Sequence, residues 1–257
     1  MLTSFDNGRL FGSVTGDEGE PPWLLALHGW RRTHTDFDRV VAAAGAPAIA
    51  LDLPGFGASP PPPEAWGGAE YAKAVSAVLA SMAPRVVLLG HSFGGRVAVH
   101  LAALEPDRVA GLVLTGVPLL RPDGSGGGRK PALAYRVGRT LHRWGLVSDE
   151  RMEALRQKYG SEDYRLATGV MRAVHVRAVN ETYEEPLGQL RCPVELVWGD
   201  DDTAAPLAVA QAAADRLGRG PAPASTPAHL TVLPGAGHLT PLTAPDALAA
   251  AVQRVRP

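Results

Sequence analysis

The chain has 257 residues, of which 46% are hydrophobic. It carries a formal net charge of −1 and a single cysteine. This length is sufficient to bury a large hydrophobic core within one α/β domain that carries an insertion. The near-zero charge does not indicate a nucleic acid or an anionic membrane as a partner, and one cysteine excludes an internal disulfide bond.

The sequence also carries no targeting or membrane signal. No apolar run is long enough to span a bilayer, and residues 1–10 lack the basic and apolar regions of a signal peptide. We therefore expect a soluble cytoplasmic protein. Cys192, between an arginine and a proline just before an apolar run, is interpreted as structural.

Short apolar runs alternate with helical periodicity along most of the chain. Strands are predicted at 9–14, 23–27, 48–51, 85–89, 109–114, 194–198 and 229–233, and helices at 37–43, 69–82, 96–104, 207–217 and 245–255. This alternation predicts an α/β fold with a mostly parallel, doubly wound sheet.

The alternation is interrupted between 119 and 188, where no convincing strand occurs. A glycine-rich link at 123–128 precedes three amphipathic stretches, for which helices are predicted at 133–144, 149–159 and 163–182. A segment of about seventy residues is too long for an ordinary connection. The predicted organisation is a core domain of residues 1–118 and 189–257 with a helical insertion at 119–188.

The most informative motif follows the apolar run 86–89 and reads Gly90-His91-Ser92-Phe93-Gly94. The pattern G-x-S-x-G between a strand and a helix is a nucleophile elbow. Its serine lies at the apex of a tight turn, and glycines flank it because side chains there would clash as strand and helix pack together. We therefore predict Ser92 as a nucleophile at the carboxyl end of the central strand.

A serine hydroxyl needs a general base, and histidine titrates in the right range. Of the eight histidines, His238 lies in the loop that leaves the carboxyl end of the last predicted strand, the edge at which Ser92 emerges. His91 is not the predicted base because the turn directs neighbouring side chains apart, and His229 is not because it begins a strand. His238 is the predicted base.

The base in turn needs a carboxylate to hold its tautomer. Three consecutive aspartates, Asp200, Asp201 and Asp202, follow the predicted strand at 194–198. Their position at the carboxyl edge of the sheet suits this role. The residues alone do not show which of the three turns inward.

These motifs, taken together, resemble the α/β-hydrolase superfamily over nearly the whole chain. The matching stretches are His28-Gly29-Trp30, Asp52-Leu53-Pro54-Gly55-Phe56-Gly57, the elbow, Trp198-Gly199 with Asp202, and Gly237-His238. The family's acid usually stands three residues after the glycine with a proline beyond it, which implies Asp202, followed by Pro206, rather than Asp200.

The resemblance also implies an oxyanion hole and a cap. The backbone N–H of Phe93, the residue after the nucleophile, is one expected donor, and that of Trp30, in the family's oxyanion loop, is the second. Trp30, Phe93 and His28 are expected to line the substrate pocket. The insertion 119–188 resembles the family's cap, which roofs the site.

Three polar residues of the insertion admit two interpretations. Arg172, Asn180 and Glu181 either make bonds internal to the cap, which we favour, or contact substrate.

The expected activity is cleavage of a small carboxylic ester, lactone or thioester through an acyl-enzyme. The expected partner is a small-molecule substrate, with no nucleic acid and no membrane, and the oligomeric state is left open. The sequence has no metal-ligand constellation, dinucleotide fingerprint or phosphate loop, so no cofactor and no metal is expected. Two alternatives stay open: a receptor or partner-binding protein on the same fold, and cofactor-free perhydrolase or C–C hydrolase chemistry.

Overall fold

The computed structural model describes residues 2–120, 137, 140–159, 161–218 and 228–257. An eight-stranded sheet with the order β1-β2-β4-β3-β5-β6-β7-β8 lies at its centre. The strands are β1 (Leu2–Phe5), β2 (Leu10–Thr15), β3 (Leu24–Leu27), β4 (Ala48–Asp52), β5 (Val86–His91), β6 (Val109–Thr115), β7 (Val194–Gly199) and β8 (Ala228–Leu233).

The six strands from β3 to β8 run parallel, whereas β1 pairs antiparallel with β2 and β2 antiparallel with β4. The predicted α/β class with a mostly parallel sheet is therefore confirmed. The edge strand β1 was not predicted. It is short, its residues are half-buried or exposed, and half-buried edge strands lack the apolar run that identifies central ones.

Helices cover both faces of this sheet. They are α1 (Asp38–Ala44), α2 (Gly68–Ser76), α3 (Phe93–Leu104), α4 (Asp149–Tyr159), α5 (Glu162–Leu166), α6 (Gly169–Asn180), α7 (Glu184–Gly188), α8 (Leu207–Gly218), α9 (Thr240–Thr243) and α10 (Pro245–Arg254). Helices α2, α3 and α8 contribute to one core cluster, and α1 and α10 to the other.

Every residue of β3, β4, β5, β6 and β7 is buried. Apolar side chains on both sides are typical of parallel strands covered by helices on each face. The two clusters use alternate residues of the same strands, as Leu88 and Val87 of β5 illustrate. The sheet is thus a rigid platform whose carboxyl edge carries the loops of interest.

The described part of the segment 119–188 holds helices α4 to α7, and residues 140–143 are also helical. The single helix predicted at 163–182 is instead two helices, α5 and α6, because Ala167 is extended and Gly169 adopts a φ of +53°. The glycine-rich link 123–128 and the start of the helix predicted at 133–144 lie outside the described residues.

Helix α6 packs on the body of the protein. A Cβ on Gly55 would lie 2.3 Å from Met171 Sδ, which places this side chain directly on the loop after β4. Arg177 pairs with Glu70 at 2.6 Å, and Glu181 accepts hydrogen bonds from the Gly68 N–H. These contacts join α6 to the amino end of α2. Among the described residues, no helix combines the length and apolar character needed to cross a membrane.

Candidate active site

Ser92 lies at the turn between β5 and α3 with φ 50° and ψ −113°, a conformation rare for a residue with a side chain. The flanking glycines permit this turn. A Cβ on Gly90 would come within 2.4 Å of Gly95 Cα, and one on Gly94 within 2.1 Å of the Leu27 carbonyl oxygen. The elbow therefore depends on glycine at both positions, as the sequence suggested.

The structure brings Ser92, His238 and Asp202 into one hydrogen-bonded chain. Ser92 Oγ lies 3.1 Å from His238 Nε2, and His238 Nδ1 lies 2.8 Å from Asp202 Oδ2. A carboxylate only accepts, so Nδ1 carries the proton and Nε2 is left to accept from the serine hydroxyl. The Asp202 side chain is buried, whereas about a quarter of the His238 side chain, 27%, is exposed.

Backbone contacts distinguish the three consecutive aspartates from one another. Asp202 Oδ1 accepts hydrogen bonds from the backbone N–H groups of Ala204 and Ala205 at 2.9 and 2.8 Å, which turns Oδ2 toward His238. Asp200 is exposed and accepts from the Gly235 N–H at 2.7 Å instead. Asp201 is also exposed. Only Asp202 among them contacts the histidine.

Two backbone N–H groups near the elbow, those of Phe93 and Trp30, have no acceptor among the described residues. Phe93 opens α3, and the first N–H groups of a helix have no partner within it. Within the described part of the chain, the Trp30 N–H donates to no backbone or side-chain acceptor. A Cβ on Gly29 would lie 3.4 Å from Ser92 Cβ, so the loop before Trp30 passes directly beside the serine.

His28 is placed differently from our expectation. It is fully buried, so its side chain does not line a pocket. The Leu53 N–H donates to its Nε2 at 3.0 Å, and its Nδ1–H donates to the Gly29 carbonyl at 2.7 Å. Because a trans peptide points its N–H opposite to its C=O, this bond turns the Trp30 N–H away from His28.

Aromatic side chains form a cluster around Trp30 and Phe93, the residue after the serine. The Trp30 ring lies 5.3 Å from Phe93 and 5.0 Å from Phe56, both edge-on, and 4.9 Å from His175 of helix α6. Tyr71 lies 5.0 Å from Phe93. The sequence does not predict Phe56, Tyr71 and His175 in this aromatic cluster, because only the folded chain brings α2 and α6 to the elbow.

The polar residues Arg172, Asn180 and Glu181 all bond within the protein. Arg172 contacts Glu153 and the Ala167 carbonyl, Asn180 donates to the Val176 carbonyl, and Glu181 binds Gly68. The favoured interpretation of internal bonds agrees with these contacts. Glu181 bonds Arg177 and Tyr183 within the insertion and also the Gly68 N–H of the body.

His91, which the sequence analysis set aside, lies beside His238. Its Nε2 lies 2.9 Å from the His238 carbonyl oxygen, and the two rings are 4.9 Å apart. Burial, reinforced by the neighbouring His238, lowers the pKa of His91 from 6.5 to about 4. Burial likewise lowers the pKa of His28 from 6.5 to about 4.

The two lowered pKa values make the fold sensitive to acid. Both side chains are neutral in the folded protein but bind protons below pH 6.5 when unfolded. Their stabilisation is therefore complete above pH 6.5 and is lost as the pH falls toward 4, by roughly 3 kcal/mol for each histidine. Urea titrations between pH 7.5 and 4.5 measure this loss.

The variant His91→Gln should lose less unfolding free energy than the wild type over that range, by roughly 3 kcal/mol. A wild-type pH dependence in His91→Gln would contradict the assignment of a buried neutral His91.

The architecture and the site together define a class of protein. A mostly parallel sheet carries a strained serine after its central strand and a Ser–His–Asp chain at its carboxyl edge, which is the arrangement of an α/β-hydrolase fold. In the described residues, histidine, cysteine and acidic side chains form no group of three suited to a metal ion.

Comparison with known proteins agrees with this class. Residues 24–251 match the model of the alpha/beta hydrolase family, and the chain belongs to that family. It is 30% identical over 220 residues to a pimeloyl-[acyl-carrier protein] methyl ester esterase of Serratia marcescens. The aligned region covers 76% of this chain and 80% of that esterase.

Two further similarities are more limited. The esterase Rv0045c of Mycobacterium tuberculosis is 37% identical over 106 residues, 38% of this chain but only 34% of that esterase's length. The crystal structure of a membrane phospholipase A, a bacterial virulence factor, superposes with a TM-score of 0.71 at 20% identity, covering 99% of this chain and 84% of that one. The latter supports the fold alone.

Proposed function

We propose that this protein is a serine hydrolase that cleaves a small carboxylic ester, thioester or lactone through an acyl-enzyme. The hydrogen-bonded chain Ser92–His238–Asp202, with both contacts between 2.8 and 3.1 Å, is the observation that carries the proposal. A serine hydroxyl next to a histidine held in one tautomer is the arrangement that nucleophilic acyl transfer requires.

In the first half of the reaction, His238 Nε2 accepts the hydroxyl proton as Ser92 Oγ attacks the substrate carbonyl carbon. The carbonyl π electrons move to oxygen, and the N–H groups of Phe93 and Trp30 donate to the resulting oxyanion. The intermediate collapses, the bond to the leaving group breaks, and the leaving alcohol or thiol takes the proton from His238. Ser92 now carries the acyl group.

Water completes the cycle by the same steps. His238 accepts a proton from water, whose oxygen attacks the acyl carbon, and the proton then returns to Ser92 Oγ as the acid is released. Asp202 stays ionised throughout and stabilises the imidazolium that forms twice per turnover. Its two bonds from Ala204 and Ala205 hold the carboxylate in place for this purpose.

The aromatic side chains indicate the kind of substrate. Trp30, Phe56 and Phe93 form an apolar wall next to Ser92, and helix α6 approaches this wall through His175 and Met171. We propose that residues 119–188 act as a cap that roofs the site, so that the pocket accepts acyl groups of small or medium size. Apolar walls also exclude water and strengthen the oxyanion donors.

The named relatives are compatible with this proposal. The Mycobacterium tuberculosis protein is called an esterase and the Serratia marcescens protein a methyl ester esterase. Both names describe ester cleavage, which is the reaction proposed for this chain. They do not identify the acyl group of its own substrate.

The proposal is tested with a fluorophosphonate probe and a series of p-nitrophenyl esters from acetate to palmitate. The probe should label one serine, and peptide mapping should locate the label at Ser92. Hydrolysis should be fastest for short and medium acyl chains and slow for palmitate. Activity on a triglyceride emulsion should be low, with no rise when the emulsion forms.

Each arm has a result that contradicts the proposal. A label on another serine would remove Ser92 from the nucleophile's role. No turnover of any ester by a protein that still binds the ester would favour a receptor on the same fold. Rapid hydrolysis of a triolein emulsion would contradict the capped pocket but not the serine chemistry.

A further inference from the structure

We propose that His91 is a positioning residue for this reaction, holding the His238 loop in register with Ser92 through a hydrogen bond to the His238 carbonyl oxygen. The inference rests on the proposed function, since it assumes that His238 is the general base. His91 immediately precedes the nucleophile and is almost fully buried, with 1% exposure. Its Nε2 lies 2.9 Å from the His238 carbonyl oxygen.

The direction of this hydrogen bond follows from its acceptor. A carbonyl oxygen only accepts, so His91 Nε2 must carry a proton. Burial lowers the pKa of His91 to about 4, so the ring is neutral and Nδ1 carries none. Nδ1 is buried and has no hydrogen-bond partner among the described residues. It faces the backbone of Gly29, where a Cβ would lie 2.8 Å from it. His91 is therefore a neutral ring with a single donor, and that donor is committed to His238.

The loop that carries His238 connects β8 to α9 and is partly exposed, so its position depends on a few anchors. One is His91. A second is the buried pair of Thr115 and Thr240, whose hydroxyl groups are hydrogen-bonded. Thr115 also accepts the Ser92 N–H at its carbonyl oxygen, at 3.0 Å. Both anchors thus fix the position of the histidine loop relative to the elbow.

This arrangement sets the distance that the proton must cross. His91 and Ser92 are neighbours on one rigid turn, so the donor to the His238 backbone and the hydroxyl facing its ring move together. A misplacement of about 1 Å in such a geometry costs on the order of 10²-fold in rate. A neutral ring also suits the place, since a cation 4.9 Å away would oppose the imidazolium that forms on His238.

The test compares variants that keep or remove the donor. His91→Leu and His91→Met fill similar space without an N–H, whereas the amide of His91→Gln reaches about as far as Nε2 and can donate. For a p-nitrophenyl ester, kcat should fall about 10-fold to 100-fold in both donor-free variants, with KM changed by less than about 3-fold. His91→Gln should retain kcat within about 5-fold of the wild type, and His229→Leu is the control for a histidine elsewhere.

A spectroscopic measurement complements the kinetics. The proton shared by His238 Nδ1 and Asp202 should give a downfield proton resonance in the wild type and in His91→Gln. It should broaden in the donor-free variants because the ring is no longer held. In the wild type itself, nitrogen-15 shifts should show His91 as the neutral tautomer protonated at Nε2, a result that needs no variant to fold.

Several results would overturn the inference. They are a wild-type kcat in folded His91→Leu, equal losses in His91→Leu and His91→Gln, or a wild-type His91 protonated at Nδ1. Failure of the proposed function looks different, because replacement of Ser92 would then leave ester hydrolysis intact. If ester hydrolysis depends on Ser92 but not on His91, only the inference about His91 is contradicted.

Discussion

Replacing Ser92 by alanine is expected to lower kcat for ester hydrolysis by about 10⁶-fold, the loss seen when a serine hydrolase loses its nucleophile. In the proposed reaction, Ser92 Oγ, which lies 3.1 Å from His238 Nε2, is the atom that forms the acyl-enzyme. Initial rates with p-nitrophenyl butyrate, measured at high enzyme concentration to detect the residual rate, give the ratio. Fluorophosphonate labelling should disappear in the same variant.

The control for this substitution is Ser76→Ala. Ser76 ends α2, and its hydroxyl donates only to the Lys73 carbonyl, so its loss should leave kcat and labelling at the wild-type level. Thermal unfolding followed by circular dichroism verifies that both variants fold. If Ser92→Ala is folded and keeps more than about 1% of wild-type kcat, a different nucleophile performs the reaction.

Replacing Asp202 by asparagine is expected to lower kcat by about 10⁴-fold, as the same change does in serine proteases. The asparagine amide in the place of Oδ2 would donate to His238, which selects the tautomer protonated at Nε2 and leaves nothing to accept the serine proton. The pocket is unchanged, so KM should change little. Steady-state kinetics at pH 8 separate the two parameters.

Asp200→Asn is the matched control, since it changes the same residue type two positions away. Its carboxylate accepts the Gly235 N–H at the surface, and an amide oxygen can accept that bond equally well. Its kcat should stay within about 3-fold of the wild type. Equal losses in the two variants, or a larger loss in Asp200→Asn, would show that the orienting carboxylate has been assigned to the wrong aspartate.

Features set by neighbouring residues were the most predictable from the sequence. The elbow is local: an apolar strand, two glycines around a serine and a following helix define it, and the structure has these elements at Gly90, Ser92 and Gly94. The prediction of His238 needed one further argument, which is that parallel strands bring their carboxyl ends to one edge of a sheet. Neither inference required a side-chain orientation.

Features set by distant backbone contacts were not predictable from the residues. Asp202 points inward because Ala204 and Ala205 bind its other oxygen, and nothing in a run of three aspartates reveals this. Only the family resemblance separated them. His28 was expected in the pocket, yet a bond from Leu53, 25 residues further along the chain, buries it.

The same limitation applies to His91 and to the helices near the site. The turn was assumed to direct His91 away from the reacting atoms. Its Nε2 instead meets a backbone carbonyl 147 residues later, on a loop whose path no local pattern encodes. The break between α5 and α6 depends on Gly169 adopting a positive φ, which a helical periodicity does not exclude.

The wide separation of the reacting groups along the chain has a consequence for measurement. Ser92 and His238 lie 146 residues apart and Asp202 and His238 36 residues apart, and the serine adopts a backbone conformation that an unfolded chain seldom visits. Under the proposed mechanism, an activated serine therefore exists only in molecules whose sheet is fully assembled. The fraction of chains that reacts with a fluorophosphonate counts native molecules directly, so the same reagent serves as a folding assay in a crude lysate.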